Sequence, residues 1–316
     1  MERRSFGRTD LKVSVLGFGT AEVGFRATDE KTIDSLLGAG AEAGINVIDT
    51  ASMYAGAEEA LGRVLRQKRK HFLLFTKCGR HVPRLGFPGR VARRVRRSVL
   101  RMLRQPPIEW QPSTLTWNIE ESLRRLKTDT IDLIQLHSCT TDVLQRGDVI
   151  RALQDARDAG KVRYVGYSGD GGTASWAVDS GCFDSLQLSV NIADQQALDD
   201  IVPRALARGM GIIAKRPIAN AVWKNCRRPA DPHMHAYWDR LRILDYGFLH
   251  DEEGIAAALR FTMATGVHTA IVGTTNPANM QANILAARSG CMSAVEYEAI
   301  RARWKRIACS DWTGQM

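Results

Sequence analysis

Four side chains in this sequence have types and spacings that suit one piece of chemistry. Residues 46–58 read NVIDTASMYAGAE: an apolar run closed by Asp49, with Tyr54 following in the next stretch. Residues 72–77 read FLLFTK, a second run closed by Lys77, and residues 131–137 read IDLIQLH, a third closed by His137. Delivery of hydride to a carbonyl leaves an alkoxide that needs a proton. A phenol can give it, but an ordinary tyrosine ionises only at about pH 10. A neighbouring cation favours the phenolate and draws that value toward working pH. Lys77 suits the part of that cation, Asp49 can pair with it and hold it, and His137 can hydrogen-bond and orient the substrate oxygen. Taken singly, a strand-end Asp, Lys or His is more often structural. What points to chemistry is the succession of all three, with Tyr54 at its offset.

For these groups to meet, the runs must be neighbouring strands that open on one face. Apolar runs of strand length occur at Val15–Phe18, Asn46–Ile48, Phe72–Phe75, Ile131–Leu136, Val162–Tyr167, Ser185–Val190, Gly211–Ala214 and Thr269–Val272. They are short, continuous and rich in Val, Ile and Leu, as strands buried on both faces are. Amphipathic stretches alternate with them. Asp29–Ala43 follows Thr28 as N-cap, Thr116–Leu126 follows Ser113 and Thr114, 149–159 ends at Gly160, and 197–208 ends at Gly209. Both glycines stand where a helix end favours a left-handed residue. This alternation predicts an α/β fold, a (β/α)8 TIM barrel in a single domain over residues 1–316. A doubly wound sheet is the alternative, and it would carry a glycine fingerprint after its first strand. Gly17-Phe18-Gly19 lacks the third glycine, since Glu22 stands there. The residues before Val13 are expected to form an N-terminal hairpin under the barrel. Long loops, 80–112 and 219–249, follow strands three and seven, on the face where such barrels carry their active sites.

Residues 46–58 resemble the aldo-keto reductase signature, and Asp49, Tyr54, Lys77 and His137 match that family's catalytic tetrad. The resemblance also runs through RRSFGRTDLKVSVLGFGT, SLRRLKTDTIDLIQLH, GKVRYVGYSGD and AIVGTTNPANMQANI. It implies an NADP(H)-dependent oxidoreductase, with NAD(H) as the other possible cofactor, acting on a small carbonyl or alcohol. By the same resemblance Gly19, Thr20 and Asp49 line the nicotinamide and its ribose, and Ser168 and Gln187 take the carboxamide. Gly169 stands where the family commonly has Asn. Lys215 or Arg216 replaces an aromatic residue that stacks on the nicotinamide, and a guanidinium can lie flat against a ring. Gly273, Thr274, Gln281 and Asn283 match the adenosine-phosphate segment, a helix N-terminus of the kind that suits phosphate. Asn279 occupies the place where members that prefer NADPH often have a basic residue.

The remaining composition narrows the function classes. The net charge of +10 is uneven: from Arg80 to Arg104 there are nine arginines and no acid. Val91, Val95, Val99, Leu100 and Leu103 form a stripe, so 89–104 reads as a helix with a basic face. It is either a solvated lid or a recruiter of acidic substrates. The segment has no aromatic interleaving, so nucleic acid is not an expected partner. The six cysteines are scattered without a CxxC pair and read as reduced thiols, with Cys78 inert rather than reactive. His137-Ser138-Cys139 and His233-Met234-His235 lack further partners at zinc spacing, so no metal is expected. No run approaches the roughly 18 apolar residues of a membrane span. The N-terminus lacks a signal-peptide core, so a cytoplasmic location is expected. Trp110, Trp223 and Trp312 are expected to line the substrate pocket. Barrels host many roles, so two other readings stand beside the reductase: a catalytically weak cofactor-binding regulatory subunit, and a sugar or polyol dehydrogenase.

Overall fold

The computed structural model describes residues 1–66, 68–79 and 110–315. The arginine-rich stretch and its expected helix at 89–104 therefore lie outside the described residues. In chain order the elements are β1 (Arg3–Ser5), β2 (Lys12–Ser14), β3 (Leu16–Gly19), α1 (Ala21–Phe25), α2 (Glu30–Ala43), β4 (Val47–Asp49), α3 (Ala57–Val64), β5 (Leu73–Cys78) and α4 (Pro112–Leu126). Next come β6 (Ile131–His137), α5 (Thr141–Gln145), α6 (Asp148–Asp158), β7 (Val162–Ser168), α7 (Gly171–Ser180), β8 (Ser185–Ser189) and α8 (Ile201–Ala207). The chain continues through β9 (Gly211–Lys215), α9 (His235–Leu244), α10 (Gly254–Ala264), β10 (Thr269–Gly273), α11 (Pro277–Arg288) and α12 (Ala294–Ile307).

β1 and β2 pair antiparallel, and β3 to β10 close into a parallel barrel in the order β10-β3-β4-β5-β6-β7-β8-β9. The barrel is the expected (β/α)8 arrangement, and the hairpin plugs its floor. Phe6, in the hairpin loop, is fully buried with Phe75, Leu133, Ile213 and Ile271. Its ring lies 5.5 Å from that of Phe75. A Cβ on Gly211 would strike the Phe6 ring at 2.5 Å, so the strand can only pass there as glycine. Between barrel and helices lies the larger apolar layer, including Leu36, Leu61, Leu74, Ile119, Ile134, Leu153, Val178 and Leu259.

Several boundaries differ from the sequence reading, each for a local reason. The cap of α2 is Asp29, not Thr28: its carboxylate accepts from Thr32 N at 3.0 Å, which satisfies an orphan amide of the first turn. α4 starts four residues early, at Pro112, because proline at the first position costs no hydrogen bond. The 197–208 stretch divides into a 3-10 turn, Gln196–Asp199, and α8. Pro203 has no N–H to give to the carbonyl of Asp199, so the helix restarts. The 219–249 loop is largely helical: α9 buries Tyr237, Leu241 and Leu244 at helical spacing against a cluster with Phe261, Ile300 and Trp304. Among the described residues no helix is long and apolar enough to cross a membrane.

Candidate active site

Strands alternate their side chains, so β5 turns Phe75 and Lys77 into the barrel and Leu74, Thr76 and Cys78 toward the helices. In register, Gly273 lies beside Gly19, Gly19 beside Asp49, and Asp49 beside Phe75. His137 is the last residue of β6 and pairs with Ser168 of β7, which pairs with Gln187 of β8. The barrel thereby gathers the expected residues into one mouth. Lys77 Nζ donates to Asp49 Oδ2 at 2.6 Å and to Thr50 O at 2.9 Å. Both side chains are almost wholly buried, at 2% and 5% exposure. Burial works against the Lys77 charge, but Asp49 and Tyr54 outweigh it and hold its pKa above the ordinary lysine value. Tyr54 is half-buried, with its ring centroid 5.4 Å from Lys77 Nζ. Its ring meets that of His137 edge-on, at 6.1 Å and 85°.

Asp49 has a second partner: Gln187 Nε2 donates to its Oδ1 at 3.1 Å. Gln187 Oε1 in turn accepts from Ser168 Oγ at 3.0 Å and from Gln135 Nε2 at 3.4 Å. The Thr20 hydroxyl and amide both bind Asp49 O, at 3.1 and 3.0 Å, which fixes the turn after β3 against β4. Gly169 contributes backbone alone. Its N–H is spent on Gln187 O, and a Cβ there would strike the Tyr167 phenol, which itself donates to Cys139 O. The side chain of an asparagine has no room at that position.

The opposite side of the mouth holds a network that sequence reasoning largely missed. Lys215 Nζ lies 2.7 Å from Asp170 Oδ2. Burial pulls the Lys215 pKa below its ordinary value, and Asp170 offsets that in part. Asp170 stands at the N-cap position of α7 but makes no cap bond; its Oδ1 accepts from Ser189 N at 2.6 Å. The Arg216 guanidinium binds Ser189 Oγ at 3.4 Å and also Gln315 O. After β9, Arg216, Ala219, Asn220 and Ala221 all have left-handed φ, between 43° and 56°. Such strain costs on the order of 1–3 kcal/mol per residue and clusters at binding turns. Here Asn191 Nδ2 restrains the turn by donating to Arg216 O at 3.0 Å.

Asp194 is buried near these groups. Its carboxylate takes the Tyr237 phenol at 3.3 Å and lies 4.0 Å from Arg240. Burial, with Asp170 nearby, pushes its pKa up to about 7 against the pull of Arg240. Arg240 also donates to Thr313 O at 2.9 Å and lies 5.4 Å over the Trp312 ring. The C-terminal segment is thereby laid across this side. Signals for this network existed in the sequence: Asp170 follows a strand end, and Arg240 lies one turn past Tyr237. Nothing in the sequence tied either to residues 312–315.

The remaining expected residues lie around β10 and α11. A Cβ on Gly19 would come within 2.8 Å of Ile271, and one on Gly273 within 3.2 Å of Gly19 O, so backbone comes unusually close here. Thr274 Oγ1 accepts from Asn276 N at 3.0 Å, and the Asn276 side chain caps α11 through Ala278 N at 2.9 Å. Asn279 and Gln281 are exposed on the first turns, whereas Asn283 is buried. Of the tryptophans, Trp110 packs against Gly79 beyond β5, while Trp223 and Trp312 pack on the apolar cluster beneath α9. Cys78 is buried with its thiol pKa pushed up by burial; burial likewise pushes Cys139 up to about 12. Among the described residues no three His, Cys, Asp or Glu side chains are grouped to hold a metal ion.

Comparison with known proteins bears on the family and the fold. The sequence model of the Aldo/keto reductase family matches residues 15–305. L-galactose dehydrogenase of Arabidopsis thaliana is 29% identical over 69% of this chain; the match spans 66% of that protein, just under two thirds of its length. D-threo-aldose 1-dehydrogenase of a Pseudomonas species is 28% identical, covering 86% of this chain and 89% of its own. Among solved structures, the holo form of an aldo-keto reductase from Bacillus halodurans superposes with a TM-score of 0.80 at 25% identity, covering 99% of both chains.

Proposed function

From the premise that the chain belongs to the aldo/keto reductase family, we propose that it interconverts a small carbonyl compound and its alcohol by hydride transfer, with NADP(H) as cofactor. The observation that carries this reading is the buried Lys77–Asp49 pair beside Tyr54, with His137 across the same opening. The donor set fits a nicotinamide: Ser168 and Gln187 offer a hydroxyl and a carboxamide at adjacent strand ends. Gly19 and Gly273 leave backbone where side chains would intrude. Arg216 and Lys215 border the same opening. Gly273, Thr274, Asn279 and Gln281 sit at or near the start of α11, a helix N-terminus whose free amides and dipole favour phosphate. Asn283 lies further along the same helix and is buried. When bound, the cofactor supplies or takes the hydride.

The residues of the chain then handle the proton. In the reducing direction Tyr54 Oη gives its proton to the substrate oxygen, and the Lys77 charge stabilises the phenolate left behind. Asp49 holds Lys77 in place, and His137 hydrogen-bonds the substrate oxygen. The names of the relatives direct attention to aldoses and the oxidative direction. NADP(H) preference is carried over from the family and not from Asn279, which brings no positive charge.

The test is absorbance at the reduced-nicotinamide band. Purified protein would be mixed with NADPH or NADH and a panel of aldehydes, ketones and sugars, with the reverse reaction run on aldoses. Cofactor turnover, faster with NADPH and dependent on Tyr54, is the expected result. Tighter use of NADH would overturn the cofactor assignment. Tight cofactor binding with no turnover of any substrate would move the reading to a regulatory subunit.

A further inference from the structure

Behind the mouth, on the helix side of β5, lies a carboxylate that the proposed chemistry does not use. Glu58, the second residue of α3, is 1% exposed. Its two oxygens point to different elements. Oε1 accepts from the Thr76 hydroxyl of β5 at 2.8 Å, and Oε2 lies 3.4 Å from Arg125 Nη1 of α4. The same Nη1 donates to Ser52 O at 3.4 Å, within the loop that carries Tyr54. Arg125 is itself 11% exposed, with Glu59 at 3.3 Å and Glu121 at 3.6 Å. A Cβ on Gly62 would strike the backbone carbonyl of Arg125, so the backbones of α3 and α4 touch there.

A buried charge in this layer gains little stability over a well-packed apolar side chain of the same size. Burial holds the Glu58 pKa above its ordinary value even with the Thr76 and Ser122 hydroxyls and Arg125 acting against it. What leucine cannot do at position 58 is grip two elements at once. Thr76 is the residue before Lys77, with its side chain on the other face of the strand. Ser52 lies between Thr50, whose carbonyl takes Lys77 Nζ, and Tyr54. Ser52 N also donates to Lys77 O at 3.1 Å. The loop is held from inside the barrel by Lys77 and from outside by Arg125, and Glu58 joins the outer holds.

We propose that Glu58, acting through Thr76 and Arg125, is a positioning residue that sets the Tyr54 loop against the Lys77 strand for proton transfer. This rests on the reductase reading, so the test has one arm that needs turnover and one that does not. Glu58→Leu and Thr76→Val would be made in the full chain, the second removing a single hydroxyl at similar volume. In the first arm kcat should fall about tenfold in Glu58→Leu and about threefold in Thr76→Val, while the KM for cofactor stays within twofold. Glu58→Gln, which keeps the Thr76 bond, should recover part of the loss. In the second arm, amide hydrogen exchange of residues 50–56 should speed up about tenfold while β6–β8 exchange as in the wild type. A folded Glu58→Leu with unchanged kcat would overturn the proposal. If Glu58→Leu does not fold, Thr76→Val decides in its place. If the wild type turns over no substrate, the reductase reading fails and the exchange arm alone decides whether Glu58 holds the loop.

Discussion

On the β4–β6 side of the mouth one cation, Lys77, meets one anion, Asp49, at 2.6 Å; Lys77 is also held by Thr50 O and Asp49 by Gln187 Nε2. On the β7–β9 side Asp170 and Asp194 are set among Lys215, Arg216 and Arg240, and two of those cations also bind carbonyls of residues 313 and 315. The first side is built from three neighbouring strands and their loops, with Gln187 of β8 holding Asp49 from beyond them. The second is complete only when the far end of the chain arrives. The titration behaviour follows. Lys77 gains from its partners more than burial takes away, so its charge is fixed through neutral pH. Asp194 loses more to burial and to Asp170 than Arg240 returns, so it titrates at about 7. A closed pair keeps one charge state; a crowded network has one that neutral pH can change.

Breaking each side in turn tests this contrast. The largest effect is expected at the phenol. Tyr54→Phe should lower kcat by about 10²–10⁴-fold, the range of a general acid–base group, with cofactor affinity by fluorescence titration within twofold of wild type. Retention of most turnover would mean that another group gives the proton. Next, Lys77→Met should cost about 3–5 kcal/mol in chemical denaturation, because it leaves Asp49 buried without its cation. A cost below about 1 kcal/mol would show that Gln187 and solvent suffice for Asp49. Arg240→Met should cost less, about 1–3 kcal/mol, because Asp194 can take up a proton when its cation is gone. The same variant should expose the segment after α12 to protease and raise acrylamide quenching of tryptophan fluorescence, while kcat changes less than threefold. A fall in kcat like that of Tyr54→Phe would erase the distinction between the two sides.

The smallest effect concerns pH. Between about 4 and 7 the folded protein keeps a proton on Asp194 that the unfolded chain, with a value near 3.8, has released. The folded state therefore binds more protons, and the stability from this group falls as pH rises through that window. Asp194→Asn should flatten this slope in denaturant midpoints measured from pH 4 to 8. The Lys77–Asp49 side should contribute no slope there through Lys77: its raised value means that stability is present below the ordinary lysine range and lost only well above neutrality. An unchanged slope in Asp194→Asn would sink the assignment.

The two sides were unequally legible in the sequence. Asp49, Lys77 and His137 each close an apolar run, so their convergence followed from strand ends alone, even though the expected strands stopped one or two residues short of Asp49 and Lys77. The polar strand-end residue belongs to the strand because the backbone ladder continues under it: Asp49 pairs with Phe75, and Lys77 with Gln135. Helix α12 also carries a local signal in the sequence. Ser293 and Glu296 form a capping box, a local pattern that needs no tertiary information. Helix α9 was hidden because its apolar face, Tyr237, Leu241 and Leu244, is short and embedded in a polar segment.

By itself the sequence determined the barrel, its floor hairpin and the four groups at its mouth. Those depend on periodicity and on residues within a few positions of a strand end, which are local quantities. Only the tertiary structure decided that Tyr167 fills the space beside Gly169, that Glu58 reaches both Thr76 and Arg125, and that residues 313–315 bind Arg240 and Arg216. The contacts of Glu58 and of residues 313–315 join residues whose separation along the chain carries no pattern, and the folding of the Tyr167 ring over Gly169 depends on what packs around it. They are set by which side chains close packing brings within about 3 Å of one another.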